Sequence, residues 1–446
     1  GSLVGSEMCI RDRFRSKKFK GEIIDDKLKL ISRQSRLFFD DFLSIPIGKR
    51  TIFDKDPLTL WGIGSDYEEK DGFYISRGFG EVKIFDDYSL RLRPYFLIQR
   101  ALKGKTNSFR DKDASILSSK VKNQKNSFLD IFAFDAELKK KFSSWDLNLK
   151  TKLNTLNTER LDEANRSKIT LTKTIDLNEK SKNSYFESLE KEYSFINKID
   201  LQFYGAYREK VIKGFSGDAE IYLAKGARIA NRRTWNLNGK ITDLSFIYDL
   251  GEYKAEKKNL TELDELFRHV FAVKYSYLFP IWEKQKSDTN INANYKYSPN
   301  VINQGISWIT NIDSGIFLYS DGSTQEAISL SSGPKITIGS FTNSYFDYSN
   351  LEILAIYPIK GDDSPFIFDN IDSTTRIQFN FNQQLLGPLL FGYKAYLNLD
   401  SDSNEYGQIK DPTYSLDISR RAYSLGAFYK PSSESLGIQF NIFNFD

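Results

Sequence analysis

Residues 145–154 read WDLNLKTKLN, and this stretch decides the fold class. Most of the alternate residues from Trp145 to Leu153 are apolar, and every residue between them is polar or charged. Successive side chains of a β-strand point to opposite faces, so such a segment has one apolar face and one hydrated face. The stretch predicts a strand that separates two different solvents.

The same alternation recurs from about residue 88 to the end of the chain, as in residues 199–208, 235–241 and 377–382. A soluble β-sandwich would alternate as well, but its strands are short and its inner face is dominated by branched aliphatic residues. Here the alternating segments are long, and tyrosines recur near their ends, as interfacial aromatic girdles require. These are Tyr275, Tyr277, Tyr295, Tyr297, Tyr393 and Tyr396. The pattern favours a membrane β-barrel over a soluble β-protein.

The composition is compatible with that prediction. The chain has 446 residues with 35 Phe and 25 Tyr, so it is not of the disordered class. Its net charge is only +4, which argues against a nucleic-acid partner. No window approaches the ~18 consecutive apolar residues of a transmembrane helix. The closed barrel is the other structure that satisfies its backbone inside a bilayer.

Residues 1–14 differ from the rest of the chain. Met8 and Cys9, the single Met and single Cys, lie in segment 3–13 (LVGSEMCIRDR), which resembles a translated sequencing-adapter artefact. The remainder contains neither residue, so no disulfide is expected. We interpret the chain as a fragment that lacks its true N-terminus and any export signal.

The predicted fold class is all-β, with two units after this segment. Residues 15–52 are interpreted as the last strands of a separate periplasmic β-domain and a linker, and residues 53–446 as the transmembrane antiparallel β-barrel. At ~15 residues per strand and connection, the length from Pro57 onward predicts about 26 strands. Polar insertions at 104–126 and 178–192 are interpreted as surface loops.

One insertion has helical rather than strand periodicity. Its apolar residues recur at spacings of three and four, and Asn259 and Glu262 are placed as a capping box. The apolar positions are Leu260, Leu263, Leu266, Phe267, Val270 and Phe271. We expect a short helix over the barrel mouth, or a loop helix without function.

The C-terminal segment 435–446 reads SLGIQFNIFNFD. Its alternating hydrophobic residues and near-terminal Phe follow the pattern of the signal that barrel-assembly machinery recognises on last strands. Such recognition uses edge pairing, with backbone hydrogen bonds for affinity and alternate side chains for specificity. The alternative is an ordinary closing strand that ends in Phe.

Five stretches resemble the LptD-type barrel proteins of cyanobacteria. They are 58–79 (LTLWGIGSDYEEKDGFYISRGF), 295–305 (YKYSPNVINQG), 361–369 (GDDSPFIFD), 383–392 (QQLLGPLLFG) and 418–431 (ISRRAYSLGAFYKP). The resemblance implies an outer-membrane protein that inserts lipopolysaccharide into the outer leaflet. It also implies a periplasmic β-jelly-roll, of which residues 15–52 would be a remnant.

The implied partners are lipopolysaccharide, outer-membrane lipids and a periplasmic bridge protein of LptA type. The resemblance further implies a lateral opening between the first and last strands, here between Leu58–Ser65 and Gly437–Phe445. Proteobacterial relatives carry cysteines that link the two domains, whereas this chain has none after Cys9. The resemblance therefore predicts neither oxidative activation nor a lipoprotein plug for this chain.

Nine residues are candidates for this lateral gate: Pro57, Leu58, Leu60, Trp61, Pro94, Gly437, Phe440, Ile442 and Phe445. Proline removes a donor from a strand ladder, so Pro57 or Pro94 near the seam would ease its opening. The alternative is that both are ordinary strand-start or edge prolines.

A second candidate site is basic. Lys225, Arg228, Arg232 and Arg233 are placed to contact lipopolysaccharide phosphates in the lumen or at the mouth of the barrel. The alternative is a solvated loop.

Enzyme chemistry is not expected. His269 is the only histidine, so a His-based triad or a multi-His metal site is disfavoured. Residues 62–64 and 78–80 read Gly-x-Gly but lack the context of a nucleotide fold, and we interpret them as strand glycines. No catalytic residue, metal or cofactor is predicted. The rival functions are a general or substrate-specific porin and a secreted soluble β-protein.

Overall fold

The computed structural model describes most of the chain, with gaps. The described residues are 13–24, 27–39, 43–53, 61–67, 69–79, 82–84, 87–109, 123–176, 198–212, 218–237, 240–257, 262–284, 297–298, 302–419, 423–433 and 435–442. Every structural statement below refers to these residues.

The first three strands form a sheet of their own. β1 (Arg13–Ile24), β2 (Lys27–Phe39) and β3 (Leu43–Phe53) pair antiparallel in the order β1-β2-β3. β1 begins at Arg13, inside the segment 1–14 that was predicted to be an artefact. That boundary and the assignment of residues 15–52 to a jelly-roll remnant stay predictions.

The barrel begins with shorter elements. They are β4 (Trp61–Asp66), β5 (Gly72–Arg77), β6 (Val82–Ile84), β7 (Tyr88–Leu97), α1 (Ile98–Lys103), β8 (Lys105–Thr106), β9 (Gln124–Lys125), β10 (Phe132–Phe142), β11 (Trp145–Leu153), α2 (Leu161–Ala164) and β12 (Asn165–Asp176). Single 3-10 turns occur at Phe128–Ile131, Thr158–Arg160 and Pro431–Ser433.

Longer strands follow before the chain returns to short ones. They are β13 (Lys198–Ile212), β14 (Asp218–Leu237), β15 (Lys240–Glu256), β16 (Leu263–Glu283), β17 (Gly305–Tyr319), β18 (Thr324–Ile338), β19 (Ser349–Lys360), β20 (Arg376–Leu386), β21 (Leu389–Asn398), β22 (Ile409–Ser419), β23 (Tyr423–Lys430) and β24 (Ser435–Ile442).

These strands close into one antiparallel barrel. The hydrogen-bonded order runs from β10 through β24 to β4, β5, β6 and β7, which pairs back with β10; β8 and β9 form a separate ribbon. β5 and β6 both pair antiparallel with β7, at Ser76↔Tyr95 and Val82↔Leu90, so they are two halves of one broken strand. The nineteen named strands therefore occupy eighteen positions. An even number is what antiparallel closure by hairpins requires.

The predicted number of about 26 strands is not confirmed. The estimate assumed strands of ~9–11 residues, as a bilayer crossing needs. β14 has 20 residues and β16 has 21, so fewer strands use the same length of chain.

The predicted alternation is confirmed across neighbouring strands. Tyr275, Ile312, Leu330 and Tyr357 are successive cross-strand partners on β16 to β19 and form one outward row. Ile312, Leu330 and Tyr357 are exposed. On β16, β17 and β18, the residues on either side of these positions are polar and face the lumen. The apolar belt is therefore on the outside, the reverse of a soluble protein.

The predicted tyrosine girdle is only partly outward. Tyr275 and Tyr277 face outward on β16, and the Tyr393 ring lies 5.3 Å from the outward ring of Tyr414. Tyr396 faces the lumen, where the Arg376 guanidinium lies 5.3 Å from its ring centre. Tyr297 is buried outside the strands, and Tyr295 lies outside the described residues.

The helix predicted in residues 259–271 is wrong. β16 begins at Leu263 and continues without a break to Glu283, and Asn259 and Leu260 lie outside the described residues. Phe267 and Phe271 share the outer face, whereas Leu266 and Val270 share the inner face, where Val270 is completely buried. The segment is apolar on both sides because its inner face packs on a loop inside the barrel. Apolar residues on both faces of a strand can fall at spacings of three and four, which is also the spacing of a helix.

In the described part of the chain, no helix has the length and apolar character needed to cross a membrane.

Candidate functional site

The closure of the barrel rests on a short seam between β4 and β24. The two strands pair at Gly62↔Asn441, Ile63↔Phe440 and Gly64↔Gln439. By contrast, β24 pairs with β23 over eight positions, and β4 pairs with β5 over six. The predicted pairing of first and last barrel strands is therefore present, and its described ladder is the shortest between neighbouring positions in the barrel.

A side chain replaces the backbone ladder at one end of the seam. We call the end where β4 stops and β24 begins the far end, and the other the near end. Toward the far end, the Ser65 hydroxyl donates to the Leu436 carbonyl at 3.3 Å and accepts from the Ile438 amide at 3.3 Å. One hydroxyl thus bridges two backbone groups of β24.

Glycines make room for aromatic rings beside the seam. A Cβ atom added to Gly437 would lie 2.1 Å from the Phe428 ring, and one added to Gly64 would lie 2.6 Å from the Tyr74 hydroxyl. These rings cover the glycine backbone from the lumen side. The interpretation of Gly62 and Gly64 as strand glycines is confirmed, since both lie in β4.

The predicted gate residues are only partly described. Pro57, Leu58, Leu60 and Phe445 lie outside the described residues. Trp61 lies in β4, and Gly437, Phe440 and Ile442 lie in β24, so their backbones are at the seam.

Pro94 lies away from the seam, at another weak point. It is in β7, two positions along the barrel from β4, and pairs with Phe134 of β10. On its other side, the ladder is interrupted between Ser76↔Tyr95 and Val82↔Leu90. A missing backbone donor is least costly at such an interruption.

A buried arginine anchors the far-end loops beside β4 and β5. Arg100, in α1, donates from Nε to Asp71 Oδ2 at 2.8 Å and from Nη1 to the carbonyls of Asp130 and Asn154 at 2.8 and 2.5 Å. Its Nη2 donates to Ser108 Oγ at 2.8 Å. Burial lowers the pKa of Arg100, and the charge of Asp71 opposes that shift.

Asp130 is a second anchor of these loops. Burial alone would raise the pKa of its carboxyl, but hydrogen bonds from Thr155 and Ser127 outweigh burial and lower it. The Thr155 hydroxyl lies 2.7 Å from Asp130 Oδ1. The insertion 104–126 is predicted to be a surface loop. Its described ends are fixed by these contacts, and Phe109 within it is buried.

A loop between β19 and β20, residues 361–375, folds into the lumen. Arg268 of β16, completely buried, donates from Nε and Nη2 to the Asp369 carboxylate at 2.5 and 2.7 Å. The Tyr319 hydroxyl donates to the same carboxylate at 2.7 Å. Phe368 stacks on Tyr253 with ring centres 5.8 Å apart. The loop is held by charge and by aromatic packing.

This cluster continues onto β14 and β15. Arg228 Nε donates to Asp249 Oδ1 at 3.1 Å, and Arg268 Nη1 donates to Asp249 Oδ2 at 3.3 Å. Gly226 and Gly251 are cross-strand partners, and a Cβ on either would lie within 3 Å of the Tyr204 hydroxyl. Two cations therefore meet two carboxylates in a buried, balanced arrangement.

The structure does not bring the four predicted basic residues together, and it places them on strand β14 rather than in a loop. Lys225 and Arg233 are on the outer face, with Lys225 paired to Glu252 at 2.9 Å and Arg233 lying over Trp235. Arg228 and Arg232 are on the inner face, and Arg232 is paired to Asp243 at 2.6 Å.

Sequence reasoning missed the luminal loop. Residues 361–369 contribute to the family resemblance, but no role is predicted for Asp369. The available signal was the run Phe366 to Phe368, whose hydrophobicity is unusual for a turn. Arg268 was missed because the surrounding segment was predicted to be a helix.

His269, the only histidine of the chain, has aromatic neighbours. It faces outward on β16, with its Nδ1 3.3 Å from the Tyr248 hydroxyl and its ring against Phe267. Among the described residues, no group of three or more His, Cys, Asp or Glu side chains is arranged to hold a metal ion.

A comparison with family models finds one that matches residues 13–446, and its description is Protein of unknown function (DUF3769). A comparison with curated proteins gives no match.

Proposed function

We propose that this chain, which belongs to the DUF3769 family of proteins of unknown function, is an outer-membrane translocon that inserts lipopolysaccharide into the outer leaflet through the seam between β4 and β24. The observation that carries the proposal is the three-position ladder of that seam. The apolar outer belt and the polar lumen support the membrane location.

Backbone hydrogen bonds between strands set the free-energy cost of opening a barrel in lipid. An unpaired backbone group in hydrocarbon costs several kcal/mol. The free-energy cost of separating two strands therefore rises with the number of positions at which they pair. Among the described residues, β15 and β16 pair over sixteen positions, whereas β4 and β24 pair over three. Lateral opening is therefore least costly at the seam.

In this proposal the saccharide of lipopolysaccharide passes along the hydrated lumen while its acyl chains leave through the seam into outer-membrane lipid. The driving free energy comes from the periplasmic side, through a bridge protein of LptA type, because the outer membrane holds no nucleotide. Barrel-assembly machinery would insert the chain by recognising the β24 strand.

Cross-linking tests the seam directly. In a Cys9→Ser background, Ile63→Cys with Phe440→Cys joins β4 to β24, because these residues are cross-strand partners. The matched control, Ile63→Cys with Ile75→Cys, joins β4 to β5 and leaves the seam free.

We expect oxidation of the seam pair to abolish surface delivery of lipopolysaccharide, and reduction to restore it, while the control pair keeps delivery in both states. Delivery that continues through an oxidised seam would overturn the proposal.

A substrate-specific channel is the second candidate, favoured by the inward loop 361–375, since a loop anchored in a lumen constricts a pore. Single-channel recording separates the two functions. A channel conducts with the seam cross-linked, whereas the translocon loses lipid delivery under the same condition. A chain that is monomeric in plain buffer would contradict both.

A further inference from the structure

One inner wall of the barrel carries more cations than carboxylates. Arg91, Glu137 and Lys150 are successive cross-strand partners on β7, β10 and β11. All three lie on the face opposite the apolar belt, and Glu137 lies midway along β10. Lys168 of β12 is the next partner in the same row. In the part of the row that the structure describes, there are three cations and one carboxylate.

Glu137 is shared by three cations. Its carboxylate lies 3.7 Å from Arg91 Nη1, 3.4 Å from Lys139 Nζ and 3.6 Å from Lys150 Nζ. The Asn148 amide also donates to it, at 3.1 Å. One carboxylate cannot balance both lysines, so the group of Glu137, Lys139 and Lys150, which we call the basic patch, has an excess of one positive charge.

Three other arginines of the lumen are balanced and buried. Arg268 and Arg228 meet Asp249 and Asp369, and Arg166 lies between two glutamates at 2.7 and 2.8 Å. Those three arginine side chains are at most 7% exposed.

In the basic patch, the side chains of Lys139 and Lys150 are 41% and 56% exposed. Excess charge that is open to a water-filled lumen is arranged for a ligand rather than for stability.

The wall across the lumen has a different chemistry. β20 lies nine positions from β11 in the eighteen-position ring, which is diametrically opposite. Its inward residues Gln378, Asn380 and Asn382 present amides, which both donate to and accept from hydroxyl groups. A saccharide in the lumen would meet cations on one side and amides on the other.

We propose that the basic patch binds the anionic groups, phosphate or carboxylate, of a saccharide inside the barrel. This inference rests on the proposed function for the identity of the natural saccharide, but binding itself does not require transport. Ammonium and guanidinium groups form short, charge-assisted hydrogen bonds with such oxygens. Low-dielectric walls concentrate the field of the patch in the lumen.

Calorimetric titration of the full chain in detergent tests the proposal with three oligosaccharides of equal length. Phosphorylated mannan oligomers carry phosphate, oligogalacturonate carries carboxylate, and dextran oligomers are neutral. We expect both anionic probes to bind. Dextran should bind at least about tenfold more weakly, because it has no charge for the excess positive charge of the patch to attract. Which anionic probe binds more tightly identifies the preferred group.

Two variants and a charge-matched control locate the binding. Lys139→Gln with Lys150→Gln should weaken anion binding about tenfold or more, and Glu137→Gln should strengthen it, because it removes the one carboxylate of the patch. The control, Lys140→Gln with Lys225→Gln, removes the same charge from the outer face.

Equal weakening in the inner and outer double variants, or unchanged binding in Glu137→Gln, would overturn the assignment. So would equal affinity of the wild-type chain for dextran and the anionic probes. Because these titrations require no lipid movement, a failed seam experiment with intact anion binding would reject the translocon alone.

Discussion

The two sides of the barrel are built to different lengths. On the tall wall, β13 to β18, strands have 15 to 21 residues. On the seam wall, β23, β24, β4 and β5, the described parts of the strands have six to eight residues. At about 3.3 Å per residue, 20 residues span about 65 Å and six span about 20 Å. A hydrocarbon core is about 30 Å thick, so the tall wall exceeds it, whereas the described strands of the seam wall are shorter than it.

The walls also differ in what fills the lumen beside them. The tall wall packs on the inward loop 361–375 with a buried cluster of aromatic rings and paired charges. The seam wall has glycines against single rings, Gly437 with Phe428 and Gly64 with Tyr74. The largest buried cluster of rings and paired charges therefore lies away from the place where the barrel closes.

Removing the buried arginine of the tall wall should have the largest effect. Arg268→Leu leaves the Asp369 carboxylate buried without its cation, and we expect a loss of about 3–5 kcal/mol in the free energy of unfolding. Urea unfolding in detergent measures it. Arg268→Leu with Asp369→Leu should recover most of the loss, and a double variant as unstable as the single one would contradict the electrostatic explanation.

Adding a side chain at the seam should have the next largest effect. Gly437→Ala places a Cβ 2.1 Å from the Phe428 ring, so strand or ring must shift, at a cost of about 1–3 kcal/mol. We expect faster hydrogen exchange in β24 and unchanged exchange in β16. Phe428→Ala in the same chain should relieve the clash. If Gly437→Ala alone left the amides of β24 protected from exchange, the seam would be less tightly packed than the 2.1 Å distance indicates.

Removing the seam hydroxyl should have a smaller and more local effect. Ser65→Ala loses the bridge to Leu436 and Ile438, worth about 0.5–1.5 kcal/mol. The Ile438 amide should exchange faster, with little change in the midpoint of global unfolding. Ser76→Ala removes a hydroxyl that bonds within the β4–β5 pair and serves as the control. Equal effects on Ile438 in both variants would argue against a bridge at the seam.

Acid should have the smallest effect, confined to the far-end loops. The pKa of Asp130 is lowered below its ordinary 3.8, so its stabilisation is fully present above that pH and is lost as pH falls through the lowered value. Hydrogen exchange around residues 154–157 should rise below about pH 3.8 in the wild-type chain. Asp130→Asn should show that faster exchange already at neutral pH, with a weaker dependence on pH. Wild-type exchange that stayed flat in acid would remove Asp130 as the anchor.

Alternation along each strand was readable from the sequence because it is a local property. Residues 145–153 form β11, and its apolar positions face outward as predicted. The pairing of the last strand with the first was expected from the family resemblance. The segment around Val270 was misread because a strand that is apolar on both faces has no period of two.

The sequence by itself determined that most of the chain is strand with one apolar and one polar face, since backbone geometry couples neighbouring positions directly. Only the tertiary structure decided which charges meet. Arg268 and Asp369 are 101 residues apart, and Glu137 collects cations from β7 and β11 through cross-strand register. Register is set by closure of the whole ring, so no local pattern of residues specifies these partners.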